Sequence, residues 1–138
     1  MDSIINILSI EDDKAYRKLL SIAVEDMPIN LTFATGLQEG IKIAKKNRPP
    51  VILLDLVLKD SSPENTINSI KEFDDSAVVI LSGEQGSEFL QEAYRQGADS
   101  YLDKNIVASR ERLFSVIYNA WMRREFKPLY CRNCVTKS

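Results

Sequence analysis

The stretch "ILSIEDDKAY", residues 7–16, runs apolar and then sets Glu11, Asp12 and Asp13 side by side. Neighbouring carboxylates repel one another, so a cluster of them at the end of an apolar run asks for a cation. Another carboxylate in an odd setting is Asp55, flanked by Leu53, Leu54, Leu56, Val57 and Leu58. Brought together, Glu11, Asp12 and Asp55 would concentrate three negative charges in a small volume. Mg²⁺ answers this simply, since it takes carboxylates, a backbone carbonyl and waters as ligands. Val57 can offer only its carbonyl oxygen, which suffices. With the ion bound one negative charge is left, and Lys104 cancels it. The neutralised site could then accept a phosphoryl group, with the Ser82 hydroxyl and nearby main-chain N–H groups holding an oxygen. Phosphoryl transfer needs little beyond such positioning and charge neutralisation. Asp55 reads as the nucleophile, forming an aspartyl-phosphate.

These residues can meet only if the fold carries them to one place. Short apolar runs alternate with longer amphipathic segments. The predicted strands are residues 4–10, 30–35, 51–56, 77–82 and 100–103. Three of them, "INILSI", "VILLDL" and "AVVILS", are almost continuously apolar, as strands buried on both faces of a parallel sheet must be. Asp13 can cap the first helix, whose apolar face is Leu19, Leu20, Ala23 and Val24. Leu37, Ile41 and Ala44 mark the second, stopped by Pro49-Pro50. Ile67, Ile70 and Phe73 mark the third, begun by Ser61 or Ser62 with Pro63 in the first turn. The fourth carries Phe89, Leu90 and Ala93 and ends near Gly97. Leu113, Ile117, Ala120 and Trp121 define the fifth. The pattern is (βα)₅, a doubly wound three-layer α/β sandwich. In such sheets the working crevice lies at the carboxyl ends of the strands, where Glu11-Asp12, Asp55, Ser82 and Lys104 all fall.

The composition excludes several rivals. The 138 residues suit one domain, and 18 Lys+Arg against 20 Asp+Glu leave a net charge of −2, with no basic nucleic-acid footprint. There is no histidine, so Ser-His and Cys-His catalysis and His-ligated metals are excluded. No apolar stretch approaches the roughly 18 residues of a membrane span, and the expectation is a cytoplasmic protein. The cysteines, Cys131 and Cys134, form a C-x-x-C that cannot close a zinc site alone. It reads as a solvated tail, with a disulfide or metal shared between two chains, and hence a homodimer, as the alternative.

Over about residues 4–125 the chain resembles a response-regulator receiver domain. The acidic pair Glu11-Asp12, Asp55 in "ILLDLVL", Ser82 in "VVILSG", and Tyr101 and Lys104 in "SYLDK" stand in the family's order on the proper strands. The resemblance implies a five-stranded parallel sheet of flavodoxin-like order 2-1-3-4-5, with a receiver domain over 1–125 and a C-terminal tail over 126–138. It implies a signalling phosphoacceptor rather than an enzyme. Asp55 would take its phosphoryl group from a sensor histidine kinase or phosphotransfer protein, with Mg²⁺ held by Glu11, Asp12, Asp55 and the Val57 carbonyl. Ser82 and Tyr101 would form the switch, read by a protein target at the face of helix four, strand five and helix five. Neither nucleic acid nor membrane is an expected direct partner. Two departures stand out: Lys59 where the family usually has Pro, and Pro63 where it usually has Gly. Both are expected outside the metal and phosphoryl surroundings, affecting loop geometry and kinase docking. The alternatives are a degenerate receiver acting only as an interaction module, and a phosphohydrolase-like enzyme. The second wants an acid/base Asp two residues after the nucleophile, where Val57 stands.

Overall fold

The computed structural model describes residues 3–73, 75–83 and 88–126. Five strands, β1 (Ile5–Ile10), β2 (Ile29–Ala34), β3 (Val51–Asp55), β4 (Ala77–Ser82) and β5 (Ser100–Asp103), alternate with helices. The helices are α1 (Lys14–Ala23), α2 (Leu37–Asn47), α3 (Pro63–Asn68), α4 (Leu90–Arg95) and α5 (Arg110–Glu125). All strand pairings are parallel and the order is β2-β1-β3-β4-β5, as expected. The winding reverses between β1 and β3, so the crevice opens where Ile10 and Asp55 end their strands.

Side-chain alternation divides the core between the two faces of the sheet. Ile5, Ile7, Leu53, Val79, Leu81 and Leu102 pack against Tyr16, Leu20 and Ala23 of α1 and Leu113, Ile117 and Ala120 of α5. Leu8, Ile10, Ile52, Leu54, Val78 and Ile80 meet Leu37 and Ala44 of α2, Ile67, Ile70 and Phe73, and Ala93 of α4. Every residue of β3 and β4 is buried, which explains their unbroken apolar sequences.

Local chemistry sets the helix ends. Asp13 Oδ1 accepts from the N–H groups of Ala15 and Tyr16 and starts α1. Ser62, rather than Ser61, caps α3, with its hydroxyl accepting from Asn65 N–H at 3.1 Å and Pro63 opening the helix. The third helix is shorter than its apolar spacing suggested and tightens into a 3-10 turn over Ser69–Phe73. There the Ser69 hydroxyl donates to the Thr66 carbonyl at 2.6 Å, a local bond that competes with the helix ladder. Gly97, at φ +115°, stops the chain after α4 in a conformation that L side chains avoid.

Three sequence expectations shift. β1 starts at Ile5, β2 slips one residue earlier at both ends, and β3 closes at Asp55 rather than Leu56. Leu19, expected in the core, is 51% exposed. The buried stripe of α1 runs through Tyr16, Leu20, Ala23 and Val24, the spacing of one helical face, and Leu19 falls about 100° away from Leu20. A 3-10 helix, Lys104–Ala108, which the sequence pattern does not announce, lies between β5 and α5.

Gly40 lets α2 lie close on β1, because a Cβ there would come within 2.4 Å of Ile10 Cδ1 and 2.7 Å of its Cγ1. Ile10 is fully buried and has nowhere to retreat. Gly40→Val should therefore lower stability by about 1–3 kcal/mol, seen as a reduced urea midpoint with an unchanged m-value.

Candidate functional site

The ends of β1 and β3 bring the expected carboxylates together. One oxygen each from Glu11, Asp12 and Asp55 lie within 4.8 Å of one another. Glu11 and Asp55 are 2% and 3% exposed, so water screens them little. The ammonium of Lys104 resolves most of the conflict, standing 2.8 Å from Glu11 Oε1 and 2.9 Å from Asp55 Oδ2. Asp55 Oδ1 accepts from the Val57 N–H at 3.0 Å, and Glu11 Oε2 from the Asp13 N–H at 3.0 Å. Each of the two buried carboxylates thus has both oxygens engaged.

The electrostatics follow from this crowding. Burial pushes Glu11 up to about 7, assisted by the charge of Asp55 and opposed by the Lys104 hydrogen bond. Burial alone would lower Lys104, but its hydrogen bonds to Glu11 and Asp55 and their charges outweigh it and raise its pKa. An all-oxygen donor set with excess negative charge suits a hard divalent cation such as Mg²⁺, and the three carboxylates fit that role.

Ser82 ends β4 in register with Asp103, and its neighbour Leu81 pairs with Asp55. Alternation therefore turns Ser82 toward the face opposite to that of Asp55 and Lys104. Its hydroxyl is buried and has no hydrogen-bond partner among the described residues. Tyr101 lies on that same face, half-buried against the core that contains Ile80 and Ala93. Burial raises its phenol, as does the charge of Asp103, while the Ser82 hydroxyl is near enough to pull slightly the other way without hydrogen-bonding geometry. Glu84, two residues after Ser82 in the sequence, lies outside the described residues, as do Cys131 and Cys134.

Two contributors escape a sequence reading. Tyr16 sits in the first turn of α1, and its hydroxyl donates to the Lys104 carbonyl at 2.8 Å. The Lys104 ammonium stands 4.6 Å from the centre of the Tyr16 ring, close enough for cation–π attraction. Burial and the charges of Glu11, Asp55 and Asp103 raise the Tyr16 phenol, which therefore stays neutral. The one available signal was position, a tyrosine three residues beyond the capping Asp13. The other is Lys59, which corrects the expectation that it stands apart from the site. Its main-chain N–H donates to Asp12 Oδ2 at 2.6 Å, a contact that side-chain identity does not announce.

Comparison with known proteins agrees with this geometry. Residues 7–118 match the response regulator receiver domain family, and the chain belongs to it. It is 32% identical over 99 residues to the KDP operon transcriptional regulatory protein KdpE of Escherichia coli K12, covering 72% of this chain and 44% of that protein. It is likewise 32% identical over 109 residues to KdpE of Staphylococcus aureus NCTC 8325, covering 78% and 47%. The chain thus spans about half the length of the curated relatives it matches. Among solved structures, the CheY-like receiver domain protein of Methanospirillum hungatei JF-1 superposes with a TM-score of 0.80 at 19% identity, over 91% of this chain and 99% of that one. That similarity speaks for the fold. No helix among the described residues is long and apolar enough to cross a membrane.

The two roles of Tyr16 can be separated. Tyr16→Phe loses only the hydroxyl bond to the Lys104 carbonyl and should lower stability by about 1 kcal/mol. Tyr16→Leu also removes the ring beneath the ammonium, so chemical denaturation should show a further loss of about 0.5–1 kcal/mol.

Proposed function

We propose that Asp55 accepts a phosphoryl group from a phosphohistidine of a sensor kinase or phosphotransfer protein, and that the chain signals through the resulting change of surface. The observation that carries this is a nearly inaccessible aspartate at a strand end, beside two further carboxylates and bonded to a lysine. An Asp55 oxygen attacks phosphorus in line, the new P–O bond forms, and the P–N bond to the donor imidazole breaks. The bond's electron pair stays with that nitrogen, which picks up a proton. Bound Mg²⁺ supplies charge neutralisation for the phosphoryl oxygens, and Glu11, Asp12, Asp55 and the Val57 carbonyl are the groups that would hold it. Lys104 gives up its bond to Asp55 Oδ2 in favour of a phosphoryl oxygen, remaining tethered by Glu11. The chain provides phosphoacceptor chemistry for its own modification rather than turnover of a separate substrate.

The Ser82 hydroxyl, buried and without a hydrogen-bond partner among the described residues, supports a coupling step. A phosphoryl oxygen offers it a charge-assisted hydrogen bond. Its movement changes the space available to Tyr101, and so biases the surface of α4, β5 and α5 toward a protein partner. A domain of residues 1–125 followed by a tail, at work in the cytoplasm, is consistent with this reading.

Incubation with radiolabelled phosphoramidate and Mg²⁺ tests the assignment. The parent should take up label, Asp55→Asn should take up none while keeping its circular dichroism spectrum, and excess chelator should abolish uptake. Stable labelling of Asp55→Asn would place the acceptor elsewhere. Ser82→Ala should still take up label, but with much smaller phosphorylation-induced chemical-shift changes across β5 and α4. Changes equal to those of the parent would refute the coupling.

A further inference from the structure

The loop from β3 to α3 is fastened at points that the phosphoryl chemistry does not use. Leu58 is buried in the core, and its carbonyl accepts from the Ser61 N–H at 3.4 Å, closing a tight turn. Within that turn Asp60 reaches a different element. Its Oδ1 accepts from Leu37 N–H at 3.0 Å and its Oδ2 from Gln38 N–H at 3.4 Å, at the start of α2. The residue in the capping position of α2 is Gly36, which has no side chain to do this itself. A Cβ on Gly36 would lie 2.8 Å from Asp60 Oδ2, so the glycine also leaves room for the carboxylate. Between the buried Leu58 and the capping Asp60 stands Lys59, whose N–H donates to Asp12.

We propose that the main-chain amide of Lys59 is a positioning group for the Asp12 carboxylate, held in place by Asp60 on the N-terminus of α2, and that it sets how tightly this chain binds its divalent cation. The inference rests on the Mg²⁺ reading above. Glu11 and Asp55 are both tied to Lys104, whereas Asp12 is bonded to the loop instead. Half-buried and facing two other carboxylates, Asp12 gains most by turning away into water. A short charge-assisted bond from a fixed N–H opposes that turn. It uses one acceptor position of Oδ2 and leaves Oδ1 for the ion. Rotational freedom that binding would otherwise remove is already gone, which favours association. Asp60 matters because the amide can hold Asp12 only if the turn that carries it is itself fixed. A proline at position 59 would have no N–H to donate, so this device exists because the chain has Lys59 there.

The test is Mg²⁺ titration of the full chain, by calorimetry and by amide chemical shifts. Lys59→Ala keeps the N–H and should bind Mg²⁺ within about twofold of the parent. Lys59→Pro and Asp60→Ala should each weaken binding about five- to tenfold. In the parent, the Lys59 amide proton should resonate downfield and stay there at saturating Mg²⁺. Should Lys59→Pro fail to fold, Asp60→Ala decides, since losing one exposed cap leaves the core intact. Parent-like binding by Asp60→Ala, or loss of the downfield Lys59 shift on saturation, overturns the positioning role alone. A parent that binds no Mg²⁺ overturns the metal reading with it.

Discussion

Two carboxylates buried at the ends of adjacent strands cannot both stay ionised without a counter-charge, and Lys104 supplies it. Its ammonium spans Glu11 on β1 and Asp55 on β3, tying three separate parts of the chain through one group. Removing one partner from such a desolvated set leaves an uncompensated charge, at a cost of about 3–5 kcal/mol. Lys104 does not remove the cost of burial, however. Glu11 remains pushed up to about 7 even with the lysine present, chiefly because burial disfavours its charged form, with the charge of Asp55 adding to the effect. The cluster is held together by the lysine and keeps an all-oxygen donor set that fits a hard divalent cation.

The surroundings of Lys104 are built to keep it there. α1 begins directly after the acidic run, and its first buried residue, Tyr16, places a ring beneath the ammonium while its hydroxyl holds the lysine's own carbonyl. Arg17, next along, donates to the Glu11 carbonyl at 2.9 Å and pins the backbone that carries the acidic pair. The helix that follows the acidic pair therefore also orients its counter-ion. Burial of Tyr16, Leu20 and Ala23 against β1 and α5 holds that helix in place. The geometry of the carboxylate–lysine cluster thus rests on the hydrophobic packing of one face of the sheet.

The two faces of the sheet differ. Strand alternation puts Asp55 with α1 and α5, and puts Ser82 and Tyr101 on the side of α2 and α4. The hydroxyl at the end of β4 lies one residue beyond the register partner of Asp55 yet faces the opposite layer. Ser82 is buried, and its hydroxyl has no hydrogen-bond partner among the described residues. Asp55 and Ser82 thus lie on opposite layers at the same end of the sheet.

Much of this was legible in the linear sequence, and the reason is periodicity. Short continuous apolar runs bounded by turn residues read as strands buried on both sides, so β1, β3 and β4 and the parallel sheet follow from them. Once the strands are placed, Glu11, Asp12, Asp55, Ser82 and Lys104 fall at their carboxyl ends, and the structure brings Glu11, Asp12, Asp55 and Lys104 together there while Ser82 faces the opposite layer. What pattern could not reach is anything that depends on azimuth or on main-chain atoms. Leu19 and Tyr16 are both plausible core residues of α1, and only the docking of the helix against β1 and α5 buries Tyr16 and exposes Leu19. Asp60 caps a helix that begins 23 residues before it, a contact with no local signature. Lys59 acts through an amide proton that nearly every residue type possesses, so its side chain carries no trace of the role. The sequence by itself determined which side chains fall at the ends of the strands. Tertiary structure alone decided which backbone groups and helix faces hold them there, because those contacts depend on orientation in space rather than on residue type.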